Sequence, residues 1–227
     1  MAQNSPTLPM KIIQTLLLAL AFSSQVIAQQ APNLYSIPTP WERYSHYSIT
    51  LRGGAGLPIG PMAENYIDKV SMDNYSVAVD WILQQPFSVG VEVSQSFFSK
   101  KLPRAIYNIE DQDVSAVQTR TLKQIPVQGV ASYYFGTPNA RIRPYVQLAA
   151  GASFVDYTLY YGNLATQEQA IKFTYGAAAG SRFLFKKDGS VGADLRVKYN
   201  QTPFDFDYLD RGIGQINATI GLFYRWW

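Results

Sequence analysis

From Tyr47 onward, apolar and polar side chains trade places at almost every step. The stretch "YSITLRGGA" puts Tyr47, Ile49, Leu51 and Ala55 on one face and Ser48, Thr50 and Arg52 on the other. Successive side chains leave a strand on opposite sides, so a period of two predicts a strand with two unlike faces. "YSVAVDWIL" repeats the pattern with Tyr75, Val77, Val79, Trp81 and Leu83 opposite Ser76, Ala78 and Asp80. "FSVGVEVSQSF" does so with Phe87, Val89, Val91, Val93 and Phe97 opposite Ser88, Gly90, Glu92, Ser94 and Ser96. Five more segments follow: "IPVQGVASYYF", "PYVQLAAGASF", "KFTYGAAAGSRFLF", "VGADLRVKY" and "INATIGLFYRW". They are rich in Val, Tyr, Phe and Gly, and a helix would need its apolar residues three and four apart. The pattern predicts eight strands.

The connections alternate in length. Those at 84–86, 136–141 and 186–189 are short, and those at about 58–74, 99–121, 158–169 and 200–214 are long. Short turns at one end, long loops at the other and an even strand number predict an all-β fold. It is an eight-stranded antiparallel up-and-down transmembrane β-barrel with short periplasmic turns and long extracellular loops. A soluble eight-stranded calyx is the rival, but its outer face has to be rich in charge. Here one face is almost wholly apolar. Phe87, Phe135, Phe185 and Trp226 fall at the short-turn ends, and Tyr75, Phe97, Tyr157 and Tyr199 toward the long-loop ends, as two membrane-interface girdles require.

The opposite face carries Arg52, Asp80, Glu92, Gln128, Gln147, Arg182, Asp194, Arg196, Lys198 and Arg225. Counted from the short-turn end, Arg52, Asp80, Glu92, Arg182, Asp194 and Arg196 stand at similar heights. Unpaired ions away from water cost several kcal/mol each, so a narrow lumen predicts that these groups, with Arg225, pair into a network that plugs it. Two positions fit less well: Pro126, where a missing donor predicts a bulge, and Ile82, apolar on the lumen face.

Composition agrees. The chain is 47% hydrophobic and 14% aromatic but only 15% charged, against roughly 25% in soluble domains. It has no cysteine, which excludes disulfides, thiolate zinc and a thiol nucleophile. The net charge of +3 is scattered, which argues against nucleic acid as a partner. "MKIIQTLLLALAFSSQVIAQQ" has a basic start at Lys11, an apolar core too short to span a bilayer, and Val26-Ile27-Ala28 before a cut. The expected organisation is a signal peptide at 1–28 with a natural start at Met10, a periplasmic lead-in at 29–46, and the barrel at 47–227.

In "TLKQIPVQGVASYYF", "RPYVQLAAGASF", "GAAAGSRFLF" and "INATIGLFYRW" the chain resembles the small outer-membrane β-barrel family of the OmpA transmembrane domain and OmpX-like proteins. The resemblance implies location in the bacterial outer membrane, contact with outer-membrane lipid, and insertion by the barrel assembly machinery. That machinery reads an alternating, aromatic-ended last strand. Carried onto this chain, the signal falls on Ala218, Ile220, Leu222, Tyr224 and Trp226, with Trp227 one residue beyond the family's usual end.

Some small barrels of that membrane are lipid-modifying enzymes using Ser, His and an acid. The sole histidine, His46, lies just before strand 1 at the end opposite the outer leaflet, with Ser45 and Ser48 beside it and no acid evidently placed. Acidic pairs in "NIEDQDVS" (Glu110, Asp111, Asp113) and "TPFDFDYLDRG" (Asp205, Asp207, Asp210, interleaved with Phe204, Phe206 and Tyr208) lack the spacing and glycine of a calcium loop. They read as solvated loops. No catalytic residue, metal or cofactor is assigned. The expected function is a structural or surface-interaction barrel whose four long loops present any extracellular ligand site. A narrow channel for small or apolar solutes is the first alternative, and a lipid-modifying enzyme the second.

Overall fold

The computed structural model describes residues 47–83, 86–109, 112–136, 140–162, 164–186, 189–206, 209 and 212–226. The leader, the lead-in with His46, the acids Glu110, Asp111, Asp207 and Asp210, and Trp227 lie outside the described residues. Each of the eight alternating segments is a strand: β1 Tyr47–Ile59, β2 Ser71–Ile82, β3 Phe87–Ile109, β4 Gln112–Tyr134, β5 Ile142–Tyr161, β6 Leu164–Leu184, β7 Val191–Thr202 and β8 Ile213–Trp226. Every strand pairs antiparallel with its sequence neighbours, and β1 pairs with β8 from Tyr47↔Trp226 to Ile59↔Gly214, so the sheet closes into a barrel.

Burial follows the two-residue period. Ser48, Thr50, Arg52, Ser76, Asp80, Glu92, Gln128, Gln147 and Asp194 are buried inside, while Leu51, Val77, Val91, Leu148, Val197, Ile220 and Leu222 are exposed outside. An exterior of that composition faces hydrocarbon rather than water. The barrel is narrow enough that some inward positions admit no side chain. A Cβ on Gly151 would lie 2.1 Å from the Val127 carbonyl oxygen, and one on Gly221 2.2 Å from that of Leu51. Glycine there lets neighbouring backbones cross closely.

Three expectations change. First, residues 99–109, 112–121, 158–161 and 164–169 are strand rather than loop: β3 and β4 run 23 residues each, β5 20 and β6 21, against 12 to 14 for the other four. Pairing of β2 with β3 ends at Asn74↔Ser96 and that of β6 with β7 at Tyr175↔Gln201. Beyond those points β3–β6 continue as a four-stranded sheet on the long-loop side. Second, the ladder is not bulged at Pro126, which pairs in register with Ser153. Only the bridges from Ser94 and Gln95 lapse, and the count on either side is kept. One missing donor is absorbed by skipping a hydrogen bond. The bulge of this pair lies between Lys101 and Arg104, around Leu102 and Pro103. Third, a one-turn π-helix at Met62–Tyr66 occupies the β1–β2 connection and turns Met62 and Tyr66 inward.

Candidate functional site

The lumen is filled at two levels. At mid-height, three carboxylates meet four cations. Asp80 accepts from Arg182 Nη2 at 2.7 Å and from Ser48 Oγ at 3.3 Å. Asp194 accepts from Arg52 Nε at 2.7 Å, from Arg182 Nε at 3.4 Å, and from the Tyr145 hydroxyl at 3.1 Å. Glu92 holds Arg196 in a short charge-assisted contact, Lys198 Nζ at 2.7 Å and Arg52 Nη1 at 3.5 Å. Neutral groups take up remaining donors: Arg196 reaches Gln147 at 3.1 Å and Ser76 at 3.3 Å, and Lys198 reaches Gln128 at 2.7 Å. The Arg182 guanidinium also lies 5.0 Å from the ring centroids of both Tyr134 and Phe223. Buried charge of this kind is tolerable only when paired and hydrogen-bonded.

The strand register explains why the charges meet. Arg182 and Asp194 stand opposite each other on β6 and β7, as do Ser48 and Asp80 on β1 and β2, and Glu92 and Gln128 on β3 and β4. The geometry brings together Arg52, Asp80, Glu92, Arg182, Asp194 and Arg196. Lys198, one inward step above Arg196, joins them. Arg225 stands at the short-turn end instead, its Nε donating to the Gly189 carbonyl at 2.9 Å.

The second level is apolar and closes the long-loop end. Met62, Tyr66, Ile67, Phe98, Leu122, Val155, Tyr157, Leu159, Phe204, Leu209 and Ile213 form one buried cluster. Tyr66 stacks on Tyr157 at 4.6 Å, and its hydroxyl lies 2.9 Å and 3.0 Å from the carbonyl oxygens of Thr121 and Thr158. Arg120 Nη1 fastens the π-helix from above, donating to the Asn65 carbonyl at 2.7 Å and the Tyr66 carbonyl at 3.1 Å.

Tyr157 is therefore not an interface aromatic. It is 0% exposed, because it shares the inward parity of Ser153 and Val155. Phe204 belongs to this cluster and Phe206 packs against it, while Asp205 between them is exposed. The other girdle positions lie on the outer face: Phe87, Phe135, Phe185, Tyr75 and Tyr199 are exposed, and Phe97 and Trp226 are half-buried. Tyr47 stacks between Trp81 and Trp226, with centroids 6.5 and 5.8 Å away, and carries the short-turn girdle across the β8–β1 seam. Ile220, Leu222 and Tyr224 of the closing strand are exposed outward. Among the described residues no cluster of three or more His, Asp or Glu side chains is placed to hold a metal.

The cluster at the long-loop end could have been found by following parity past the membrane. Phe98, Leu122, Val155, Tyr157 and Leu159 continue the inward phase of β3, β4 and β5 with apolar instead of polar residues. An apolar inward phase marks a plug.

No family model matches the chain, and no curated protein matches it in sequence. Its fold is nevertheless shared. Neisserial surface protein A is 10% identical over 81% of this chain and 99% of its own, with a TM-score of 0.53. Ail of Yersinia pestis is 14% identical over 81% and 98%, with a TM-score of 0.46. The N-terminal β-barrel domain of Pseudomonas aeruginosa OprF is 16% identical over 81% and 99%, with a TM-score of 0.42. At such identities the likeness is one of architecture: the eight-stranded outer-membrane barrel.

Proposed function

We propose that this eight-stranded barrel is a sealed, non-enzymatic protein of the bacterial outer membrane, with the barrel as anchor and the β3–β6 sheet as the part that meets other molecules. The observation that carries the reading is the double filling of the lumen, charged at mid-height and apolar at the long-loop end. Fold alone would not have distinguished a pore from a plug. In planar bilayers the folded protein is expected to show no large, stable conductance. A steady open level would favour the narrow-channel alternative.

The sheet's two edges differ in a way that supports a surface role. The β3 edge is guarded by Lys100, Lys101, Pro103 and Arg104 and by the bulge among them, which are devices that discourage strand addition. Lys100 Nζ also reaches Asp68 at 2.9 Å, a contact that holds the Asp68 carboxyl below its usual range. On β6, no strand pairs with Leu164–Thr174 on its outer edge among the described residues. Ile171 and Phe173 are 75% and 61% exposed there. Such a combination of open backbone groups and apolar side chains is a ready contact surface. With the sheet outside the cell, a membrane-impermeant amine reagent is expected to label Lys172 on intact cells and to spare Lys186 at the short-turn end. Labelling of Lys186 alone would invert the orientation.

A further inference from the structure

The short-turn mouth of the lumen holds positive charge that the mid-height network does not answer. Arg143 on β5 and Arg182 on β6 stand directly opposite each other, and both line one cavity with Arg225 of β8. Like charges placed opposite one another across a ladder repel. Arg182 is answered by Asp80 and Asp194, as described above. Among the described residues Arg143 has no such partner: its guanidinium rests 4.6 Å from the Tyr134 ring centroid, and its buried Nε has no acceptor there. The described residues of the adjoining turns add Arg141 and Lys186 and no acid.

The cavity is small, about 30 Å³, and Ile82, Leu184 and Phe223 give it apolar walls. Those walls lower the local dielectric and strengthen any charge pairing within it. A space of that size takes a compact group. A guanidinium fork matches the oxygens of a phosphate two at a time, and the phosphate's charge would offset the surplus.

We infer that Arg143 anchors an oxyanion site at the short-turn mouth, which takes a phosphate group from the compartment that this end faces. The phosphate is carried either by a free ion or by the headgroup of a lipid in the adjoining leaflet. The site is separate from the mid-height network and does not depend on whether the lumen conducts.

The test uses the full chain folded in maltoside micelles free of phosphate, with heat-modifiable gel migration as the check that each variant is folded. Inorganic phosphate is titrated by calorimetry at constant ionic strength in chloride. Saturable binding is expected for the parent, weakened about tenfold or more in Arg143→Gln. Arg143→Lys, which keeps the charge but loses the fork, is expected to fall between them, and it serves in place of Arg143→Gln if that variant does not fold. A second arm places the protein in phosphatidylcholine nanodiscs with and without phosphatidic acid. If free phosphate does not bind, but phosphatidic acid raises the unfolding temperature of the parent and not of the Arg143 variants, the source is the lipid. If neither probe separates the parent from the Arg143 variants, the site does not exist.

Discussion

Glu92→Gln is expected to lower the unfolding free energy by about 3–5 kcal/mol, the usual cost of removing one partner from a buried ionic cluster. Glu92 is the only carboxylate within reach of Lys198 and Arg196 among the described residues, and it also approaches Arg52. The amide that replaces it leaves Arg196 and Lys198 without a carboxylate partner among the described residues, both buried inside the barrel. Urea unfolding in lipid vesicles, followed by tryptophan fluorescence, measures the loss. Adding Lys198→Met to Glu92→Gln is expected to recover part of it, since one of the stranded charges then disappears. A change below about 1 kcal/mol for Glu92→Gln would mean that the cluster is hydrated like a surface pair, for which such small values are usual.

Tyr157→Ala is the second large effect, expected at about 3–5 kcal/mol, as for other buried aromatic truncations. The ring stacks on Tyr66 and meets Phe206 edge-on at 5.2 Å, so its loss opens a cavity where the π-helix, β5 and the β7–β8 connection come together. The comparison that decides its role is Tyr199→Ala on the outer wall, where the ring is exposed and the loss is expected to be clearly smaller. Equal losses would return Tyr157 to the membrane interface. The Tyr157→Ala barrel is expected to remain non-conducting, because the charged layer below it is untouched.

Most of the barrel was legible because a strand with one face in lipid and one in a polar interior writes its period plainly. Val89-Gly90-Val91-Glu92-Val93 and Ile216-Asn217-Ala218-Thr219-Ile220 show it. The charge layer was legible for the same reason, since Arg52, Asp80, Glu92 and Asp194 interrupt inward phases that otherwise carry small polar residues. Legibility stopped where the chain leaves the membrane. Both faces of a strand then meet water or protein, and "RAIYN" or "ATQEQ" reads as loop although each is paired strand. Tyr157 was misplaced for a related reason: an aromatic near a strand end suggests an interface anchor, and only parity shows that it points inward. The oxyanion site was hidden because it needs Arg143, Arg182 and Arg225 from three separate strands, and no spacing along the chain records that they share a cavity.

The pairing of β1 with β8 differs from the other seven in one respect, the order in which the chain supplies its parts. Each of the other ladders joins strands that follow one another, so it can form as soon as its second strand is available. The seam from Tyr47↔Trp226 to Ile59↔Gly214 must wait for the last strand. Through that wait the free edge of β1 holds its amide and carbonyl groups open, and hydrocarbon offers them no partner. Long-range pairings are the slow ones, because the loop they close is long. The seam is thus the step at which folding can stall, and a substitution there acts on how long the barrel stays open as well as on how firmly it is held shut.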